Sequence, residues 1–529
     1  MKALQISIFF CFLTGQFLAQ NPPASTSTSQ KFFEVITDVE RYYVDPVDAP
    51  ALTETAIVAL LEKLDPHSTY IPKEELEDAQ MGINGSFVGI GVRFQLLKDT
   101  INVVATIPGG PSEKLGILPG DQIVSVDGIN VAGIQIKNDE VRKKLMGELG
   151  TKVKVTVRRK GKFLDFTITR DKIPVFSVDA AYMIDAQTGY IKLNSFSRTT
   201  VQEVQTAITD LQSKGMKNLI FDLQGNGGGL LDAAHKLADE FLSGDKLVVY
   251  SEGRSQPRSN LKAGKKGLFE TGKLILLTDE YSASASEILS GAIQDWDRGL
   301  IVGRRTYGKG LVQRPMPLSD GSEIRLTIAR YYTPTGRFIQ KPYTDTETYR
   351  KDLTQRYLNG EFFLQDSIKF PDSLKFQTLK TKRTVYGGGG IMPDFFVPLD
   401  TTEVTDYFSD LIQGGHVTTF AFNYVNQNRE TLKKTYPTFE SFKNATVVDE
   451  VFMQAFFAYV KQEDPKLEFN EKEYAQSATL IKLRLKSALA QDLWGTNEMF
   501  QIYNQTNEVL QKAIELLRTN TYDTIKLDH

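Results

Sequence analysis

Four short segments of this 529-residue chain combine residue types that could do chemistry. The first, Tyr281-Ser282-Ala283-Ser284-Ala285-Ser286-Glu287-Ile288, lies between an apolar run at 274–278 and a helical pattern that reaches Trp296. A hydroxyl at a strand-to-helix junction sits beside free backbone N–H groups and the positive end of the helix dipole. Acyl-transfer enzymes need their nucleophile there, because the oxyanion forms within reach of the same amides. Serine is also a preferred helix N-cap, and this segment taken alone reads first as a cap.

The second segment is Thr306-Tyr307-Gly308-Lys309-Gly310-Leu311-Val312-Gln313. A helix followed by a strand at 300–303 brings the chain back beside the preceding strand, so Lys309 can lie near Ser284. The flanking glycines allow close backbone approach. A solvated turn lysine is the plainer reading of Lys309 alone. A lysine base near neutral pH must be moved from its ordinary pKa near 10.4, which takes roughly 4–5 kcal/mol of destabilisation of the charged form. Burial without a close carboxylate supplies that, and uncharged Gln313 can orient the amine without stabilising its charge.

The third segment, Phe221-Asp222-Leu223-Gln224-Gly225-Asn226-Gly227-Gly228-Gly229-Leu230, joins another buried strand to another helix. Such a turn can offer amides to an oxyanion or a phosphate, or be a plain tight turn. It lacks the lysine and hydroxyl of a nucleotide P-loop. The fourth, Phe87-Val88-Gly89-Ile90-Gly91-Val92, leads into a strand edge. Its amides could capture a peptide's terminal carboxylate while the edge pairs with the peptide backbone, and a simple β-turn is the alternative. His235, on the helix after the glycine turn, is a formal candidate base, but a helix-surface histidine fits its position better.

The elements around these segments fall into blocks. Residues 31–64 have helical periodicity, with Phe33, Ile36, Val39 and Tyr42 on one face, after a Pro/Ser/Thr tether at 21–29. Residues 85–172 alternate short β-rich runs with Gly/Pro turns and one helix, a compact α+β module. From 189 to 394 the pattern is strand–loop–helix, with continuous apolar runs at 219–223 and 274–278 that imply strands covered on both faces. A charged and aromatic stretch at 341–384 interrupts it as an insertion, and the chain after Thr401 is helical throughout. The expected organisation is a signal at 1–20, a linker and helical region at 21–80, an α+β domain at 81–172, an αβ core at 173–400 and a helical region at 401–529.

Composition narrows the chemistry. A net charge of -3 gives no reason to expect nucleic acid as partner. Lys2, the apolar run at 6–13 and Ala19 read as an export signal too short to span a bilayer, so the mature chain should have no membrane span. Cys11, the single cysteine, lies within that signal, which leaves no thiolate catalysis and no cysteine-ligated metal. Four histidines leave little for a histidine-based mechanism.

Taken in order, these segments resemble the carboxyl-terminal processing, or tail-specific, serine peptidases. The resemblance is carried by Leu64-Asp65-Pro66-His67-Ser68, the loop at Gly89, Leu118-Pro119-Gly120-Asp121, Gly189-Tyr190-Ile191, the glycine turn, Ser282 to Glu287, Gly308-Lys309-Gly310 with Gln313, Tyr332-Thr333-Pro334-Thr335-Gly336 and Gly390-Ile391-Met392-Pro393-Asp394. It implies a multidomain α/β protein with a crotonase/Clp-like peptidase core, an inserted PDZ domain and helical N- and C-terminal regions. It places the nucleophile at Ser284, the base at Lys309 and its orienting partner at Gln313, with oxyanion amides at Gly228 and Ala285. Gly89, Ile90, Gly91 and Val92 would hold the carboxylate of a free apolar C-terminus. No metal or organic cofactor is implied, and the location is exported, periplasmic or at the cell envelope in a bacterium. The helical N-terminus is expected to serve packing or the contact of a homodimer. Gln224 departs from the arginine usual in the family, and the resemblance does not cover 341–384 or the chain after 401. A silent PDZ scaffold is the rival reading, opposed by the intact Ser284, Lys309 and Gln313; a crotonase-type enzyme acting on thioesters has no use for the PDZ module.

Overall fold

The computed structural model describes residues 26–519 and 521–527, and the expected export signal lies outside them. The described residues separate into two compact units divided between Leu64 and Asp65. The described part of the first is two helices, Thr26–Tyr42 and Ala49–Glu62. Asp48 caps the second, its Oδ1 accepting from the Ala51 amide at 3.1 Å. The first helix begins inside the tether expected at 21–29, a correction: a Ser/Thr-rich turn can continue an amphipathic helix that starts downstream of it.

The larger unit is built on a six-stranded sheet in the order Val178–Met183, Thr188–Leu193, Asn218–Asp222, Leu274–Thr278, Leu300–Gly303, Phe395–Phe396. The first two strands are antiparallel and the rest parallel. Period-two alternation sends Ile191, Leu219, Phe221, Leu274, Leu276 and Ile301 to one face, where the helices Thr200–Ser213, Leu231–Asp239 and Ala285–Asp295 cover them. Tyr190, Ile220, Ile275, Leu277, Leu300 and Val302 face the other way, against Val509, Leu510, Ala513 and Ile514 of the distant helix Glu508–Arg518. Both faces are buried, which is why the strands read as unbroken apolar runs.

A second sheet runs Thr69–Ile71, Glu323–Tyr332, Leu247–Gly253, Gln256–Lys262, with Leu311–Pro317 on the other side of Glu323–Tyr332. It carries the chain after Lys309. The α+β module has its own sheet, Val92–Leu97, Thr100–Thr106, Gln122–Val126, Lys152–Arg159 and Lys162–Thr169, and its own core around Ile101, Val103, Ile123, Val155 and Ile168. Its entry and exit strands, Ser86–Gly89 and Asp171–Pro174, pair with each other.

After Thr401 the helices Asp406–Gln413, His416–Thr435, Glu450–Glu463 and Glu471–Leu493 close around Phe420, Phe442, Phe456, Ile481 and Leu485. This bundle touches the α+β module through Lys98–Glu463 at 2.9 Å, Arg93–Asp492 at 3.8 Å and Gln95 donating to Thr419 at 3.4 Å. The last helices leave the bundle for the main sheet, where the hydroxyl of buried Tyr522 meets the Leu274 backbone. No helix among the described residues is long and apolar enough to cross a membrane.

Candidate active site

Ser284 stands at the N-cap of the helix Ala285–Asp295 with φ 56° and ψ −111°. Positive φ in a residue with a side chain costs about 1–3 kcal/mol and persists only where the surroundings impose it. The imposing group is Glu287, one turn into the helix and fully buried. Its Oε2 accepts from the Ser284 amide at 2.8 Å and the Lys309 amide at 2.9 Å, and its Oε1 from the Gly308 amide at 2.7 Å and Thr306 Oγ1 at 2.6 Å. One carboxylate thus straps the serine segment to the lysine segment. Tyr331, 1% exposed, adds a second strap, its hydroxyl lying within hydrogen-bonding distance of the Ser284 carbonyl, at 3.1 Å, and of the Lys309 carbonyl.

Ser284, Lys309 and Gln313 line one cleft of about 480 Å³, together with His67, Gly227, Gly229, Arg325 and Tyr331. Burial holds the Lys309 ammonium below the ordinary lysine range. Arg325 pushes the same way, while Glu287 and Asp65 oppose it. Glu287 is the largest opposing charge, so burial lowers the Lys309 pKa despite a carboxylate bonded to the lysine's own backbone amide.

Gln313 has its orientation fixed by a chain of partners. Thr327 Oγ1 donates to Asp65 Oδ1 at 3.1 Å and so must accept from Gln313 Nε2, also at 3.1 Å. The Gln313 carbonyl oxygen is left for a donor on the cleft side, the end that suits an amine. Asp65 is anchored in turn by the amides of His67 and Ser68, both at 2.8 Å.

The glycine turn reaches Ser284 through Gly228, where φ is +100° and an added Cβ would lie 2.8 Å from Ser284 Cβ and 2.9 Å from the Ala285 nitrogen. Only glycine permits that approach. Buried Asn226 holds the turn: its carbonyl accepts from the Ala283 amide at 3.0 Å and Ser286 Oγ at 2.9 Å. Its Oδ1 accepts from the Gly228 amide at 2.8 Å. The expectation that the Gly228 amide serves an oxyanion therefore needs correction, since that N–H is already donated. The amides of Ala285, Gly227 and Gly229 have no acceptor among the described residues, and Gly227 and Gly229 line the cleft. Ser282 Oγ donates to the Leu223 carbonyl at 2.8 Å, so the flanking serines 282 and 286 hold structure. His235 Nε2 meets the Lys262 carbonyl at 2.8 Å and lies away from the cleft lining.

In the α+β module, Gly89, Ile90, Gly91 and Val92 line a second cleft of about 480 Å³ with Phe94, Asn138, Arg142, Leu145 and Met146. The amides of Ile90 and Gly91 have no acceptor among the described residues. The Ile90 side chain is buried in the module's core, so the loop presents its backbone to the cleft. The helix Lys73–Asn84 stands between the two clefts: Asp78, Met81 and Gly82 line this one, and Gln80, Ile83 and Asn84 line the one that holds Ser284. Among the described residues no group of three or more His, Cys, Asp or Glu side chains could hold a metal ion.

Comparison with known proteins matches residues 187–348 to peptidase family S41, 88–169 to the PDZ domain and 407–495 to a family of unknown function. The carboxy-terminal-processing protease of Bartonella bacilliformis is 37% identical over 352 residues, covering 63% of this chain and 80% of the relative. The carboxy-terminal processing protease CtpA of Bacillus subtilis is 35% identical over 347 residues, covering 64% and 73%. The solved structure of the photosystem II D1 C-terminal processing protease is 28% identical, covers 71% of this chain and 95% of its own, and aligns with a TM-score of 0.37. Identity at this level, over four-fifths of one relative and nearly three-quarters of another, makes the chain a member of peptidase family S41, a C-terminal processing serine protease with a PDZ domain.

Proposed function

We propose that Ser284 is the nucleophile and Lys309 the general base of an endopeptidase that cuts exported proteins near their carboxyl termini. The observation that carries this reading is a strained, helix-capping serine strapped through Glu287 and Tyr331 to a lysine whose charged form is disfavoured by burial. Neutral Lys309 takes the proton from Ser284 Oγ as that oxygen attacks the peptide carbonyl. The amide of Ala285, with one from Gly227 or Gly229, receives the oxyanion. Protonated Lys309 gives its proton to the leaving amine, and water then releases the acyl-enzyme. Gln313 accepts from the amine and turns its lone pair toward Ser284.

The PDZ cleft takes a free apolar C-terminus on the Ile90 and Gly91 amides, which selects substrates by their ends. Export to the periplasm or envelope belongs to the same reading and is supported by Lys2 and the apolar run at 6–13. A homodimer would form through the N-terminal helices, which expose Phe33, Tyr42 and Leu60.

Fluorophosphonate labelling followed by mass spectrometry tests the nucleophile directly. The label should map to Ser284, and Ser284→Ala should lose both label and cleavage while staying folded. Full proteolysis by purified Ser284→Ala overturns the assignment.

A further inference from the structure

We infer that His67 contacts the substrate on the leaving-group side of the cleft, where its ring engages the backbone of the fragment released by the cut. The inference rests on the Ser284–Lys309 reading. His67 lines the same cleft as Ser284, Lys309 and Gln313. Its Nε2 lies 2.7 Å from Tyr349 Oη, with the two rings edge to face at 5.4 Å and 86°. Its backbone is pinned by the bond to Asp65. Nδ1 has no partner among the described residues.

The side of the cleft follows from the chemistry. The oxyanion and acyl portion must lie toward the Ala285 amide and the glycine turn. Lys309 delivers its proton to the leaving amine, so the space beyond Lys309 receives the released fragment. His67 belongs to that space: its amide donates to Asp65 Oδ1, the same oxygen that accepts from the Thr327 hydroxyl holding Gln313, the residue that faces the Lys309 amine. Burial, with Lys309 second, lowers its pKa to about 4. At neutral pH the ring is therefore uncharged, with one donor and one acceptor nitrogen. An uncharged imidazole with one nitrogen committed and one free suits a peptide N–H or C=O.

This gives the inserted stretch a role. Tyr349 comes from its first helix, Thr346–Arg350. Lys341 Nζ lies 4.4 Å over the Tyr349 ring and pairs with Asp352 at 2.8 Å. Tyr307, from the base-bearing loop, packs edge-on at 6.2 Å. Tyr349 is a positioning residue, acting on substrate only through His67.

The test uses the full chain and two substrates with the same acyl portion: a peptide continuing for several residues past the cut, and a p-nitroanilide with none. Fluorophosphonate labelling counts competent sites, so that misfolded protein does not enter the rates. His67→Ala should lower the ratio of kcat/KM for peptide over anilide by roughly tenfold, the loss of one buried hydrogen bond with its partner left unmet. Tyr349→Phe should lower the ratio in the same direction by less. An unaltered ratio overturns the inference, whether both rates fall together, as for a general base or a merely structural residue, or neither falls. Full turnover by Ser284→Ala would instead indict the Ser–Lys reading, so the two failures are told apart.

Discussion

Replacing Glu287 by glutamine tests the strap between Ser284 and Lys309, the proposed nucleophile and base. The carboxylate accepts four hydrogen bonds, two on each oxygen, from Ser284, Lys309, Gly308 and Thr306. An amide keeps one acceptor oxygen and turns the other into an NH₂ donor. If that NH₂ faces the amides of Ser284 and Lys309, two donors oppose two donors. If it faces Gly308 and Thr306, the hydroxyl can turn, but the Gly308 N–H is stranded. Thr306 Oγ1 already accepts from the Ile391 amide at 2.6 Å, so a turned hydroxyl would accept twice and lose the buried acceptor to which it now donates. Two hydrogen bonds to a charged group at about 1.5 kcal/mol each put the loss in stability near 3 kcal/mol or above. Activity should suffer more than stability, because a displacement of about 1 Å between reacting groups can cost on the order of 100-fold in rate. The assay is kcat/KM on an unfolded protein substrate, beside thermal unfolding and fluorophosphonate labelling at a temperature where the variant is folded. Tyr331→Phe is the companion, removing the second strap without adding a buried donor. A folded Glu287→Gln enzyme with unaltered kcat/KM would refute the reasoning that this carboxylate sets the distance between Ser284 and Lys309.

Three further outcomes follow from the same geometry. Burial lowers the Lys309 pKa and the neutral amine is the reactive form, so kcat/KM should rise with pH through one ionisation below the free-lysine range and vanish as pH falls through it. Lys309→Arg should be inactive at every pH, and turnover by that variant in a rate assay would exclude the lysine base. Amidating an apolar substrate tail removes a carboxylate whose hydrogen bonds are worth about 1.5–3 kcal/mol each, so sub-saturating cleavage should slow by roughly tenfold or more; equal rates for free and amidated tails would withdraw selection by the terminus.

The parts of the proposed site were legible in the sequence wherever they sat on one continuous segment. The runs at 274–278 and 219–223, each breaking into a small-residue turn and a helix, announce buried parallel strands that deliver Ser284 and the glycine turn to one edge. The Gly-Lys-Gly turn follows the next strand, so Lys309 belongs beside them. Groups that act across the fold were hidden. Glu287 reads as an ordinary acid in a first helical turn, and its value comes from amides at 308 and 309 on a different element. His67 and Tyr349 meet across 282 positions, one before the PDZ module and one in the insertion. Unbroken apolar strands said that both sheet faces are covered, but not that the cover is the helix Glu508–Arg518. Side-chain capture of the Gly228 amide by Asn226 could not be read from a run of three glycines.

Gln224 shows how such long-range partners can explain a departure from a family pattern. The cation near Asp222 comes from the neighbouring strand: Lys192 Nζ lies 3.2 Å from Asp222 Oδ1 and also donates to the Gln224 carbonyl. The Gln224 side chain turns instead to Asn507, accepting from its Nδ2 at 3.0 Å. Asn507 has no freedom in the matter. Its Oδ1 caps the helix Glu508–Arg518 by accepting from the Leu510 amide at 3.1 Å, which leaves only the NH₂ facing the turn. A residue at 224 must therefore offer an acceptor, and arginine has none. An arginine there would set donors against the Asn507 NH₂, which would keep only its longer bond to Asn504 Oδ1 at 3.3 Å. The glutamine thus ties the turn that reaches Ser284 to a helix far beyond the peptidase core, beside the turn's own bonds to Asp222 and Asp279.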